Sequence, residues 1–375
     1  SQSSRAMAAD FSALANAAIA REDWEAAEKS LREILALTPD SLEITRRLAE
    51  VVLRRRPLEE SRPLLLRRLE LATIQLPFGE ADAEYAAVLE LDPQNAEIHV
   101  QRARFLRDHK REKEAAAAFR QAIALRESEE EYSTAADWLG ELCALSPGDF
   151  RLLTWKAELF LKAKQEEEAR AVFIEAGEGL LEQQNLAEGV GALLRALEIR
   201  PDDEALLERV ASLYEESGST DPAVELYRRL ANLRESKEDY EGAFEALHKI
   251  LRAKPDLLED RRRLAQLYED RVEAENAAQQ WLILAEKTEA AGDLEAAASI
   301  CQHIKEIDPA FRENRSRLIR YHKAAGRIEP AKQEISELAD LCEALGETAE
   351  VQALLAEAME LDPEDRSFAR RMADF

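Results

Sequence analysis

Apolar positions along this chain fall at helical spacing, small side chains alternating with large ones, in stretches of about 15 residues. Turn residues separate the stretches, and the whole pattern recurs. Seven prolines, Pro39, Pro93, Pro147, Pro201, Pro255, Pro309 and Pro363, each stand 54 residues after the one before. Their contexts are alike: LTPD, LDPQ, LSPG, IRPD, AKPD, IDPA and LDPE. Proline cannot continue a helix and biases its predecessor away from helical geometry, so each marks a helix end. The Asp, Asn or Ser that follows suits the start of the next.

Other columns keep the same frame. Ten residues after the proline stand Ala49, Ala103, Ala157, Ala211 and Ala265, then Ile319. Twenty-two after it stand Ser61, Ala115, Ala169, Ala223, Ala277 and Ala331; twenty-six after it, Leu65, Phe119, Phe173, Tyr227, Trp281 and Ile335. Forty-two after it stand Ala81, Ala135, Gly189, Ala243, Ala297 and Val351. Gly218 and Gly326 sit seventeen after their prolines, Gly292 and Gly346 thirty-seven after, and Pro222 and Pro330 twenty-one after. The punctuation splits each repeat into three helices, beginning near offsets 2, 19 and 38. A fixed period of this length signals a repeat architecture. The expected fold is all-α: about 21 antiparallel helices in six full 54-residue repeats, residues 39–362, with partial units at 1–38 and 363–375. These are read as one continuous array over 1–375.

Composition narrows the picture. Hydrophobic residues make up 46% of the 375 and aromatics only 6%, with Ala, Leu, Glu and Arg prominent, which favours helix over sandwich or barrel. Acids outnumber bases 77 to 51, for a net charge of -26, which disfavours a nucleic-acid footprint. No apolar run approaches the roughly 18 residues of a membrane span, so direct membrane insertion is not expected. Cys143, Cys301 and Cys342 are too few and scattered for a disulfide framework. The chain opens SQSSRAMAAD without an initiator Met or apolar signal core, and both ends stop inside a repeat unit. A longer natural protein is therefore expected, with a cytoplasmic location.

The run from Trp281 to Pro309, WLILAEKTEAAGDLEAAASICQHIKEIDP, resembles a tetratricopeptide repeat. Trp281, Leu284 and Ala285 take the first places of that 34-residue pattern, with Thr288 where Tyr is usual. Ala297, Cys301, Ile304 and Pro309 fill its second helix. A second match overlaps the first through Leu264, Ala265, Tyr268, Ala277, Trp281 and Leu284. The middle helix of each repeat thus closes one hairpin and opens the next. The resemblance implies a right-handed α-solenoid that binds another protein or peptide and has no catalytic role. The three-helix period departs from the family's two, so equivalent helices in adjacent repeats are expected to point opposite ways.

Candidate chemistry is sparse. The five histidines share no ligand-like spacing, and no nucleotide, nucleophile-elbow or zincin motif is present, so no catalytic residue, cofactor or metal is expected. The three cysteines are read as buried packing residues. Gly177, Gly179, Gly189 and Gly191 are read as close helix contacts rather than a phosphate loop, because no strand precedes them and no Lys-Ser/Thr follows. Trp24, Trp138, Trp155 and Trp281 are read as core rather than a recognition cage.

Two charged features remain as candidate docking surfaces. Glu235, Glu286, Glu289, Asp340 and Glu343, on middle helices, would form an acidic ridge suited to a basic peptide, or else an ordinary solubilising face. Arg46 and Arg47, with Arg54, Arg55 and Arg56 in the segment RRRPLEESRPLLLRR, form a basic island on an acidic protein. That island would dock an acidic partner, or reflect a helix pair distorted by Pro57 and Pro63. The functional expectation is a non-catalytic scaffold or adaptor, and the composition is compatible with a bacterial adaptor in motility, polarity, secretion or envelope assembly. The alternative is the regulatory or substrate-recruiting region of a larger enzyme or secretion or motility machine.

Overall fold

The computed structural model describes residues 2–373, which form twenty-one α-helices and no strand. Ser1, Asp374 and Phe375, in the two partial units, lie outside the described residues. The chain divides into two compact units, one ending at Pro201 and the other beginning at Asp202.

In the first unit α1 (Gln2–Ala20) and α2 (Trp24–Leu37) precede Pro39. Repeat 1 follows as α3 (Leu42–Arg55), α4 (Leu58–Gln75) and α5 (Phe78–Leu91). Repeat 2 is α6 (Ala96–Asp108), α7 (Glu112–Ser128) and α8 (Tyr132–Leu145). Repeat 3 is α9 (Phe150–Lys162), α10 (Glu166–Glu182) and α11 (Leu186–Ile199).

The second unit opens with repeat 4, α12 (Glu204–Glu216), α13 (Thr220–Ser236) and α14 (Tyr240–Ala253). Repeat 5 is α15 (Leu258–Asp270), α16 (Ala274–Ala290) and α17 (Leu294–Ile307). Repeat 6 is α18 (Arg312–Ala324), α19 (Ile328–Ala344) and α20 (Thr348–Leu361), and α21 (Arg366–Ala373) ends the unit. First helices start at residues 42, 96, 150, 204, 258, 312 and 366, so helix starts keep the 54-residue spacing of the prolines. Within each unit every helix packs on the next, the stacking of an α-solenoid.

The small-residue columns are the closest points of that stacking. Ala49, Ala103, Ala157, Ala211 and Ala265 are all 0% exposed, as are Ser61, Ala115, Ala169, Ala223, Ala277 and Ala331. The large residues of the twenty-sixth column, from Leu65 and Phe119 to Trp281 and Ile335, are buried beside them. Gly177 and Gly189 carry the principle furthest. A Cβ on Gly177 would meet Leu193 Cδ2 at 2.7 Å and the Gly189 carbonyl at 3.0 Å, and one on Gly189 would meet Leu181 Cγ at 2.8 Å. Gly179 lies against the Phe150 ring. These glycines are helix contacts between α10, α11 and α9.

Turn chemistry explains the constant connection lengths. The first connection of repeats 2 to 6 turns on Lys110, Lys164, Gly218, Val272 or Gly326, and the second on Glu130, Gln184, Glu238, Gly292 or Gly346, with φ from +61° to +90°. The next amide then reaches back across the turn, as Glu273 N does to Tyr268 O at 2.9 Å. Repeat 1 turns differently. Arg56 and Leu76 precede Pro57 and Pro77 and are extended, with ψ of 155° and 154°. A residue before proline is held in that region by sterics, so the additional prolines replace the left-handed residue.

Helix starts after the ruler prolines use two devices. Ser41 and Asp203 accept from backbone amides three residues on, and Asn95 from those of Glu97 and Ile98. Leu257 and Phe311 begin α15 and α18 without a side-chain cap. There an arginine one turn in ties the preceding loop down instead: Arg261 donates to the Pro255 carbonyl at 3.2 Å and Arg315 to the Pro309 carbonyl at 2.9 Å.

Two stability predictions follow from this packing and these turns. Val272 is 87% exposed yet held at φ +61°, a conformation that is costly for a β-branched residue. Val272→Gly should therefore raise stability by about 1 kcal/mol, the relief of strain less the entropy of a glycine; an unchanged or lowered urea midpoint would contradict it. The second compares two glycines of α11. Gly191→Ala meets nothing within 4 Å and should stabilise by about 1 kcal/mol, whereas Gly189→Ala should destabilise by about 1–3 kcal/mol because α10 must give way.

Candidate functional site

Charged side chains in both units are paired chiefly across helices two apart in sequence. In the basic island, Arg55 meets Glu28 at 2.5 Å and Arg56 meets the same carboxylate at 3.1 Å, with Arg32 completing its shell. Arg46 and Arg68 both hold Glu84, each at 2.6 Å. Arg47 donates to Asn16, and Arg54 lies over the Trp24 ring at 5.2 Å. Burial pushes the Glu28 carboxyl up, but hydrogen bonds from Arg32 and Arg55 and the charge of Arg56 outweigh it and hold it below its ordinary value. Glu84 behaves likewise under Arg68 and Arg46. Three of the five arginines, Arg46, Arg55 and Arg56, thus direct their charge at two poorly exposed acids of their own unit, while Arg47 and Arg54 meet neutral groups.

The five acids of the second unit form three separate sets. Glu235 on α13 pairs with Arg263 on α15 at 2.7 Å. Glu286 and Glu289 on α16 face α18: Glu286 meets Arg317 at 2.5 Å, and Glu289 meets Arg320 at 2.7 Å and accepts from the Tyr321 hydroxyl at 2.7 Å. Asp340 and Glu343 on α19 share Arg371 of α21, at 2.5 and 2.7 Å. Each set closes on an arginine twenty-eight to thirty-one residues further on, since Arg263, Arg317 and Arg371 occupy one repeat column. That column was the sequence signal for the pairing. A stability cost for reversing Glu286 or Glu289 therefore replaces the near-neutral change expected of a solvated face.

A stronger network lies at the junction of α17, α18 and α19. Arg315, 5% exposed, meets Glu334 at 2.8 Å and also Glu337, while Lys305 meets the same two acids at 2.5 and 2.9 Å. Burial raises the Glu337 carboxyl, but hydrogen bonds from Lys305 and Arg315 dominate and bring it from 4.5 to about 2.

Nucleophiles and metal-ligating types are engaged in packing. Cys301 is fully buried, its thiol pushed up to about 12 by desolvation, and Cys342 is buried as well. Cys143 departs from the expectation, being half-buried on the rim of the α6–α9 core. Cys342, Glu347 and Glu350 are close enough to suggest a metal set, yet the Arg312 guanidinium sits on all three, 2.7 Å from Glu347 and 2.9 Å from Glu350. His99 Nε2 contacts the Pro93 carbonyl at 3.0 Å, His248 the Tyr268 hydroxyl at 3.0 Å, and His303 Glu269 at 3.0 Å. Trp138 and Trp155 pack in one core, and Trp281 stands edge-on to His303 at 5.1 Å, so the tryptophans are distributed through the helices.

The columns did not foretell two open grooves. One, of about 680 Å³, lies between α4 and α6, with Leu66, Tyr85 and Phe105 among its apolar lining and Arg67, Glu70 and Arg104 at its rim. The other, of about 500 Å³, lies between α17 and α18, lined by Leu294, Ala298, Leu318 and Tyr321 beside Glu295 and Arg327. Among the described residues no helix is long and apolar enough to cross a membrane.

The acid network sets a pH dependence. A carboxyl whose pKa is lowered on folding stabilises the fold above its unfolded value, and that stability disappears as pH falls through the folded one. For Glu337 the window runs from 4.5 down to about 2. Glu337→Gln should lower the thermal midpoint at pH 7, and the gap from wild type should close between pH 5 and about 2. A gap that stays constant across that range would show that Glu337 contributes no ionic stabilisation.

Residues 12–73 and 78–130 match the family model described as Tetratricopeptide repeat. No curated protein matches the chain. Among solved structures, the TPR domain of P58(IPK) is 12% identical, with 96% of this chain and 99% of that one covered and a TM-score of 0.22. The C-terminal part of a TPR repeat-containing protein from Cytophaga hutchinsonii is 13% identical, with 81% and 98% covered and a TM-score of 0.26. The human IFIT1 dimer, solved with PPP-AAAA, is 16% identical, with 88% and 89% covered and a TM-score of 0.23. The fold assignment rests on the helices themselves and on the family match. Residues 12–73 and 78–130 are thus similar in sequence to the tetratricopeptide repeat, and helices of the same 54-residue spacing continue beyond them to residue 373.

Proposed function

We propose that this protein is a non-catalytic interaction scaffold that docks a partner peptide or protein on the surface of its helical repeats. Tetratricopeptide folds commonly serve protein–protein interaction, and the observation that carries the reading here is the open groove between α4 and α6. Its apolar floor of Leu66, Tyr85 and Phe105 can bury a partner's side chains, while Arg67, Glu70 and Arg104 offer charge at the rim. A net charge of -26 favours a segment bearing basic residues, through long-range attraction, and works against a phosphate backbone. The proposed setting is the cytoplasm.

A peptide-display selection against the full chain tests the reading. Basic sequences with apolar anchors should be enriched, and their binding should weaken as salt rises. Enrichment of acidic sequences, or of none, would overturn it.

The acid sets provide a kinetic check. Reversing Glu286 and Glu289 to Lys should slow association of a selected basic peptide and flatten its salt dependence, because steering charges act chiefly on the on-rate. It should also cost about 0.5–1 kcal/mol of stability per broken pair, since Arg317 and Arg320 lose their partners. Stopped-flow rates at low and high salt decide the matter; unchanged rates would remove α16 from the path of association.

A further inference from the structure

Adjacent repeats can be compared position by position, and repeat 3 departs from the others at three positions that meet at one groove. Four residues after the ruler proline it has Arg151, where the other repeats have Glu43, Glu97, Ala205, Glu259 and Glu313. Eight after it stands Trp155, where the others have Arg47, Gln101, Arg209, Arg263 and Arg317. Forty-four after it stands Gly191, where the others have Ala83, Asp137, Glu245, Ser299 and Ala353. Arg151, Trp155 and Gly191 all line an open groove of about 430 Å³ between α9 and α11.

The groove has a frame. Arg151 holds Glu188 through two hydrogen bonds of 2.7 Å, and Arg195 holds Glu158 at 3.0 Å, so two ion pairs bridge α9 to α11. The pairs are seven residues apart on each helix, roughly 10 Å along the axis. Midway between them lie Thr154 and Trp155 on α9 and Gly191 and Ala192 on α11, with buried Leu180 of α10 completing the lining. The Thr154 hydroxyl is taken up by the Phe150 carbonyl at 3.4 Å, which leaves an apolar window between two charged rungs.

Packing within the chain accounts for neither distinctive residue of the window. Gly191 lies inside α11, where glycine disfavours helix, and a Cβ there would meet nothing within 4 Å. It differs in this from Gly177, Gly179 and Gly189, whose close contacts require them. Trp155 is half-buried against the α6–α9 core. Arg54 and Arg126 lie over Trp24 and Trp138, and His303 stands edge-on to Trp281, whereas among the described residues no cation or ring lies on Trp155. The bare backbone of Gly191 and the indole of Trp155 are thus two flat apolar surfaces offered to a group from outside.

We propose that this window binds a single aromatic side chain presented by the docked protein. Flat walls match a planar ring better than a branched aliphatic chain. The charges at the two ends are balanced in sign and satisfy one another, so the complementary occupant is uncharged. A nucleotide base would bring its phosphate to a chain of net charge -26, which works against it. The inference rests on the docking reading only for the carrier of the ring.

The test uses the full chain labelled with 5-fluorotryptophan and read by fluorine NMR, with Trp155→Phe assigning the Trp155 resonance. The probe is N-acetylphenylalanine methylamide, set against N-acetylleucine methylamide and adenosine monophosphate. The Trp155 resonance should shift and saturate with the phenylalanine probe, more weakly with the leucine one, and not with the nucleotide. Gly191→Leu, which places a side chain in the window, should weaken the phenylalanine probe at least tenfold without lowering the thermal midpoint. A silent Trp155, a shift that survives unchanged in Gly191→Leu, a lowered midpoint in that variant, equal saturation by the leucine probe, or saturation by the nucleotide would each overturn the proposal. Because the probe is a small molecule, this outcome is independent of the peptide selection: a silent Trp155 with successful selection removes the window and leaves the docking reading standing.

Discussion

The distance at which helices can approach sets everything else in this protein. Three small residues in each of repeats 1 to 5, in the tenth, twenty-second and forty-second columns, let neighbouring backbones come together while a large residue from the next column fills the space beside them. With those contacts fixed, the connections must have fixed lengths, and a single left-handed residue or an X-Pro pair is the cheapest way to make a tight reversal. Repeat 1 shows that the length matters more than the chemistry, because its extended Arg56 and Leu76 deliver α4 and α5 at the same spacing as the left-handed turns elsewhere.

Regular spacing has an electrostatic consequence. A residue at a given column meets the same column of a later helix each time, so one favourable pair of columns is repeated as a series. Glu235, Glu289 and Glu343, one column, meet Arg263, Arg317 and Arg371 in this way. Exposed pairs of this kind contribute little individually. Their main effect is to neutralise what would otherwise be strips of like charge, leaving the excess negative charge distributed over the remaining acids.

The period, the three helices per repeat and the buried columns were legible in the sequence because each depends on local chemistry or on a column's own residues. Helix starts fell within a residue of the offsets read from proline and glycine positions. Charge pairing was legible only by comparing two columns across helices. Glu235 and Arg263 are 28 residues apart, and nothing local to either shows that they touch. The grooves were not legible, because they depend on how Pro63, Tyr85 and Phe105 from three different helices leave space between them. Cys143 was misjudged for a related reason: its column is apolar, but that position on α8 lies at the edge of the core.

Exceptions to the repeat therefore carry more functional information than the repeat itself. A column that is filled alike in every unit is explained by packing, which requires the same side chain wherever the geometry recurs. Where one unit keeps half of an interaction and loses the other half, packing gives no reason for what is kept. Arg315 with Glu334 is a complete pair; Arg261 with Gln280 retains the cation and the loop contact but not the charge that would offset its burial. The loop contact alone does not need a guanidinium, since the His99 ring contacts the Pro93 carbonyl at the same position of repeat 2. A guanidinium in that place, 9% exposed and met by neutral oxygens, keeps a burial cost that Glu334 offsets for Arg315.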